Sequence, residues 1–263
     1  VIYINGDSHS AGAELIKDYS FAEDDPRFFA WGKRAHPEAV PLTYGYKLAQ
    51  QLNQPFFLEA ESASSNDRII RTTQKTISET IDKSKLFVII GWATWEREEW
   101  QDGETYYQLT ASGTDSVPEH MEEDYKQWVL AQTKKELDRK VNNWHNRLHD
   151  FHLELREQNI KHLFFNTYLH FSEHAVPEQK DWHNQYIDPY SIDSTYYHWL
   201  KNNGYQTVNG NSYHYGADAH VAWCKHILPI VMTQYSGIND LTNKPKRSII
   251  TKNKVQPFTG LKK

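Results

Sequence analysis

Val1-Ile-Tyr-Ile-Asn-Gly-Asp-Ser-His-Ser10 is the stretch from which the rest of the chain is read. Residues of strand character, Ile2 to Asn5, run directly into Gly6-Asp7-Ser8, after which the chain turns toward a helix. A strand that ends in Gly-x-Ser with a helix behind it holds a hydroxyl at the carboxyl edge of a sheet, where open α/β folds place their ligands. Gly, Asp and Ser are also ordinary turn residues. Ser8 therefore becomes a nucleophile only if the chain also supplies a base and donors for an oxyanion.

Outward from this stretch, short apolar runs alternate with helical patterns. Pro55 to Ala60, Leu86 to Ile90 and His162 to Tyr168 read as strands, the second a continuous apolar run suited to a strand covered on both faces. Pro41 to Asn53 reads as a helix on the spacing of Leu42, Tyr46, Ala49 and Leu52. A helix follows Asp67, its expected cap, through about Asp82. From His120 to about Asn159 the pattern is helical, with Leu137, Val141, Trp144, Leu148, Phe151 and Leu155 forming one apolar stripe. Ser194 to Asn203 is a short helix, and Ala217 to about Tyr235 a last one that Pro229 interrupts. This alternation predicts an α/β fold, a flavodoxin-like three-layer α/β/α sandwich with a short parallel sheet. The expected domain covers residues 1–235, with an irregular insertion at about 92–118 and a long helix at about 120–158. Glu23-Asp24-Asp25-Pro26 reads as a turn, followed by an aromatic cluster at Phe28, Phe29 and Trp31.

Composition narrows the function. The 263 residues are 38% hydrophobic and 24% charged, as in a globular domain able to bury a core. A formal net charge of −5 argues against a nucleic-acid partner. The longest apolar runs are far too short for a membrane span, and no leader pattern opens the sequence, so synthesis in the cytoplasm is expected. The single cysteine, Cys224, excludes an intramolecular disulfide framework and a cysteine-based zinc site, and reads as a small buried hydrophobe. Nine Trp, 16 Tyr and 11 Phe fit either sugar-stacking loops or an aromatic-rich core and surface. Residues 236–263 carry seven Lys or Arg against one acid, Asp240, and read as a basic extended arm for a protein partner, or as a tail with no partner.

The best base lies in Gly210-Asn-Ser-Tyr-His-Tyr-Gly-Ala-Asp-Ala-His-Val-Ala-Trp223. His214 falls in a loop just before the last helix, whereas His220 falls inside it and reads as a structural histidine. His145, His149 and His152 share a helix face and could bind a metal. No carboxylate completes a known ligand motif beside them, and neither a metal nor a cofactor is expected.

These residues resemble a known family. Gly6-Asp-Ser8 after the first strand, with a His-x5-His-x2-Trp block leading into the last helix, resembles the SGNH (GDSL-type) hydrolases, most of all divergent bacterial and phage members. Ala60-x-Ser-Ala-Ser-Ser-Asn-Asp-Arg68 follows the second strand and Gly91-Trp-Ala-Thr94 the third, where that family places its second and third blocks. The resemblance spans residues 1 to about 235. It implies Ser8 as nucleophile, His214 as base, and the backbone N–H groups of Ser8 and of Ser64, at the position of the family's oxyanion glycine, as donors. In the third block the family has an asparagine; here Ala93 or Thr94 stands nearest, and only the Thr94 side chain can donate.

The fourth block departs further. The family's Asp-x-x-His reads Asn211-Ser-Tyr-His214, and an asparagine stabilises the imidazolium poorly. His214 could act in a dyad with a backbone carbonyl behind it; Asp188, Asp193 or Asp218 could step in; or the site could be weak or dead. A second register takes Asp218 and His220 as acid and base. Asp7 reads as a buried residue that holds the turn, His9 as a structural or rim residue pointing away, and Arg68, Arg71, Glu96 and Arg97 as cleft-lining or solvated charges. Two functions follow from the resemblance: a metal-free serine esterase acting through an acyl-enzyme on a small ester or an O-acetylated carbohydrate, or an inactive subunit of a larger assembly such as a virion.

Overall fold

The computed structural model describes residues 1–16, 34–111, 113–114, 117–171 and 178–235. The turn at 23–26, the aromatic cluster at 28–31 and the basic arm 236–263 lie outside the described residues.

Four strands form one parallel sheet: β1 (Ile2–Gly6), β2 (Phe56–Leu58), β3 (Phe87–Trp92) and β7 (Lys161–Asn166), in the order β2-β1-β3-β7. Alternation along the strands divides the core between the two faces. Tyr3, Val88, Ile90 and Phe164 join one apolar cluster with residues of α3 (Asn66–Glu79) and α5 (Lys134–Glu157). Ile2, Ile4, Phe87, Ile89, Leu163 and Phe165 join a second with residues of α2 (Tyr44–Gln51), α6 (Tyr196–Asn202) and α7 (Ala217–Tyr235). The sheet thus carries a core on both faces, and its strands read as continuous apolar runs for that reason. With the one-turn α1 (Ser8–Ala11) and with α4 (Glu122–Leu130), the described residues form a mixed α/β structure with seven helices.

Four local expectations are corrected. The insertion is not irregular: β4 (Glu98–Asp102), β5 (Thr105–Thr110) and β6 (Gly113–Thr114) form a three-stranded antiparallel sheet. Its first turn runs through Gly103, at φ 58°, a left-handed position glycine occupies without a Cβ penalty. The helical stretch after His120 is two helices, because Thr133 breaks it and caps α5 by accepting from the Glu136 amide. Ser65, not Asp67, caps α3; Asp67 lies in the first turn and pairs with Arg147 at 2.8 Å. Pro229 does not interrupt α7, which continues through it to Tyr235. The apolar stripe of α5 packs as its spacing requires, with Val141, Trp144, Leu148, Phe151 and Leu155 buried. Cys224 is buried on α7.

Candidate active site

β1 ends beside β3, with Gly6 level with Gly91. Gly6 sits at φ 152°, and a Cβ there would come within 2.8 Å of the Gly91 carbonyl, so both the backbone angle and the close approach require glycine. Asp7 caps the short α1, its Oδ1 accepting from the His9 amide at 3.1 Å. Ser8 is therefore the first helical residue at the carboxyl edge of the sheet. Gly12, left-handed at φ 74°, ends the turn and returns its N–H to the Ser8 carbonyl. Two residues on, Glu14 is also left-handed, at φ 61°. A non-glycine residue there carries strain of roughly 1 kcal/mol. The consecutive reversals bring the Glu14 carboxylate back toward the site.

His214 arrives from the other end of the chain. The Val208 amide donates to its carbonyl at 2.9 Å, and a bridge between Thr207 and Tyr215 closes the loop. Tyr215 is buried and donates its hydroxyl to the Tyr197 carbonyl at 3.0 Å. His214 Nε2 lies 2.8 Å from Ser8 Oγ, and His214 Nδ1 lies 2.8 Å from Glu14 Oε2. A carboxylate only accepts, so the Nδ1 proton belongs to the bond with Glu14, and Nε2 is left to accept from the Ser8 hydroxyl. Ser212 donates its hydroxyl to Glu14 and accepts from the His214 amide at 2.9 Å, tying acid and base together. Burial pushes the Glu14 carboxyl up, but the bonds from Ser212 and His214 and the His214 charge together outweigh it, holding the group below its ordinary value.

The acid behind His214 is thus Glu14, and not Asn211. Asn211 is exposed, and its amide turns back to its own loop at Asn209 Oδ1. Asp188 and Asp193 are engaged elsewhere, accepting from the Tyr190 amide and the Asn202 side chain. The register that pairs Asp218 with His220 is not assembled either. His220 is buried between the Tyr44 amide, at 3.2 Å from Nδ1, and the Tyr196 hydroxyl, at 3.3 Å from Nε2. Burial holds its imidazole down at about 3.

A cavity of about 330 Å³ opens over Ser8, lined by Asp7, Ser8, His9, Thr94, Glu96, Arg97, Tyr168, Tyr213 and His214. All but Tyr213 and His214, which precede α7, follow β1, β3 or β7, so the cavity lies at the carboxyl edge of the sheet. His9 does not point away: its ring lies 5.1 Å from that of His214, and its buried Nδ1 has no hydrogen-bond partner among the described residues. Burial, then the charges of His214 and Arg97, hold it well below the ordinary histidine value. Tyr213 is exposed at the mouth, edge-on to Tyr168 at 6.1 Å.

The expected oxyanion donors are arranged differently. The Ser64 amide donates to the Glu61 carbonyl at 3.2 Å, and its hydroxyl accepts from Arg68. The Thr94 hydroxyl donates to Glu96 at 2.6 Å. The Ala93 amide donates to the Asn66 side chain, which returns a bond to the Ala93 carbonyl. Of the expected donors, the Ser8 amide is first in its helix and so has no carbonyl in that helix to bond. Of the four charges weighed as cleft-lining, Arg68 is buried against Glu59 and Glu61, and Arg71 pairs with Glu99. Glu96 and Arg97 remain at the cavity. Arg97 donates from Nη1 to Asp7 Oδ2 at 3.4 Å and to the Ser64 carbonyl at 3.3 Å. Burial pushes the Asp7 carboxyl up, opposed by Arg97 and the His9 amide.

The α5 histidines face different partners. His145 meets the Tyr190 hydroxyl at 2.8 Å, His149 the Asp181 carbonyl at 3.3 Å, and His152 the rings of His162 and His183. Burial holds His145 down at about 4 and His152 at about 3. Among the described residues no group of three His, Cys, Asp or Glu is arranged to hold a metal, and no helix is long and apolar enough to cross a membrane.

Comparison with known proteins returns no matching family model, no matching curated protein and no matching solved structure.

Proposed function

We propose that the protein is a serine esterase of the SGNH hydrolase type, built as a three-layer α/β/α domain, that works through an acyl-enzyme on a small ester. The observation that carries this is the continuous relay Ser8–His214–Glu14, two bonds of 2.8 Å at the mouth of a cavity. Ser8 Oγ attacks the ester carbonyl, its proton passes to His214 Nε2, and the carbonyl π electrons move onto the oxygen. Collapse of that intermediate breaks the bond to the alcohol, which leaves with the proton from His214. Water then repeats the sequence on the acyl-enzyme and releases the acid. Glu14 holds the imidazole in the acting tautomer and stabilises the imidazolium formed at each attack. Tyr213 and Tyr168 at the mouth favour an acylated carbohydrate, because tyrosine offers a flat apolar face with a polar tip.

The inactive alternative draws its case from Asn211, the absent third-block asparagine and the basic tail 236–263. Glu14 removes the first of these grounds. An alkyl fluorophosphonate should label the protein at Ser8, and p-nitrophenyl acetate should be hydrolysed, with both lost in Ser8→Ala. A folded wild-type protein that is neither labelled nor hydrolytic would sink the proposal.

A further inference from the structure

The site holds a cation that the relay does not use. Arg97 lines the same cavity as Ser8, and its Nη1 bridges Asp7, immediately before the nucleophile, and the carbonyl of Ser64, in the second block. The guanidinium therefore sits between the two segments expected to supply oxyanion donors. Arg97 Nε is buried without a hydrogen-bond partner, 4.0 Å from the nearest Glu96 oxygen, and Nη2 has no acceptor among the described residues. With Nη1 pinned and Nε enclosed, Nη2 is the guanidinium group left for a ligand oxygen. Leaving such donors unpaired costs free energy unless a ligand completes them.

The rest of the hole explains the vacancy they fill. The Ser64 amide is spent on Glu61 and the Thr94 hydroxyl on Glu96, which leaves one backbone N–H where acyl transfer commonly uses two or three donors. We propose that Arg97 is a catalytic residue whose Nη2 group binds the carbonyl oxygen as it gains negative charge. Asp7 positions it, with its carboxylate aligning Nη1 from behind. Atoms and protons move as in the acyl-enzyme sequence above, and Arg97 transfers nothing; it stabilises the charge that attack by Ser8 creates. This rests on Ser8 being the nucleophile. It commits the site to an oxyanion held mainly by a side-chain cation.

The test uses a neutral ester, so that no anionic substituent on the substrate can report instead. With p-nitrophenyl acetate, Arg97→Gln should lower kcat by about 10²–10³-fold while KM stays within about threefold, as loss of a contact made only in the transition state requires. Arg97→Lys should recover part of the loss. Arg97→Gln also strands the buried Asp7, so Asp7→Asn/Arg97→Gln is measured beside it. If Arg97 acts on the oxyanion, the double variant stays as slow as the single one. If Arg97 serves only to neutralise Asp7, the double variant regains wild-type kcat, and the assignment is overturned. It is equally overturned if Arg97→Gln keeps kcat within about threefold, or changes only KM. A wild-type protein without esterase activity would overturn Ser8 as nucleophile and this inference with it. An active wild type that loses activity in Ser8→Ala, beside a fully active Arg97→Gln, would overturn this inference alone.

Discussion

The two sides of Ser8 are built by different means. On the His214 side, one 2.8 Å bond joins His214 to Ser8 and another joins it to Glu14, 200 residues away in sequence, with Ser212 tying the last two together. On the side proposed to hold the oxyanion, the Ser64 amide and the Thr94 hydroxyl are spent within their own loops and the Ala93 amide on Asn66 of α3, which leaves the Ser8 amide and Arg97. Conserving a chemical role does not require conserving the residue that fills it. In the proposed mechanism a carboxylate is needed behind the imidazole, and Glu14 would supply it from the loop after Ser8 instead of from the histidine's own loop. Donors are needed at the carbonyl oxygen, and a side chain can replace turned-away amides.

This contrast can be broken at several points. The largest effect is expected on the side of His214: His214→Ala should lower kcat/KM for p-nitrophenyl acetate by about 10⁴-fold or more, since among the described residues His214 is the base hydrogen-bonded to the Ser8 hydroxyl. Retained activity would move the base elsewhere. A pH dependence comes next. The folded Glu14 carboxyl lies below its ordinary value of 4.5, so its contribution to stability is fully present above that pH and is lost as pH falls through the lower folded value. Urea unfolding of wild type and Glu14→Gln should accordingly give a stability difference that shrinks below pH 4.5. A difference that grows there would reverse the sign of the interaction. The smallest effects belong to the oxyanion side as the family resemblance draws it. Thr94→Val and Ser64→Ala should each change kcat by less than about threefold, because neither side chain points a free donor at the substrate. A hundredfold loss in Thr94→Val would return the third-block position to the oxyanion hole.

The legible parts of this molecule are those written in contiguous residues. The apolar runs of β1, β3 and β7 announce a parallel sheet because both faces are covered. Gly6-Asp7-Ser8 announces a hydroxyl at the carboxyl edge of the sheet because the strand, glycine and cap follow one another directly. His214 could be placed from its loop ahead of α7. The antiparallel insertion was less legible, because only Thr105 to Tyr107 after Asp102-Gly103 reads as a strand while Glu98 to Asp102 is polar and acidic. Glu14 carries no such signal. Its role depends on left-handed turns at Gly12 and at Glu14 itself and on a contact made only when α7 docks, and an isolated glutamate after a turn reads as a surface charge. The engagement of Ser64 and Thr94 is hidden for the same reason: which way an amide or hydroxyl points in a loop follows from the folded loop.

The central claim is that Glu14, and not Asn211, completes the relay, and the labelling rate of Ser8 by an alkyl fluorophosphonate addresses it directly. That reaction needs an activated Ser8 but no particular substrate. Glu14→Gln should slow labelling by about 10³–10⁴-fold, whereas Asn211→Ala should label within about threefold of wild type. A slow Asn211→Ala beside a fast Glu14→Gln would contradict the account and return the orienting role to the block that carries His214.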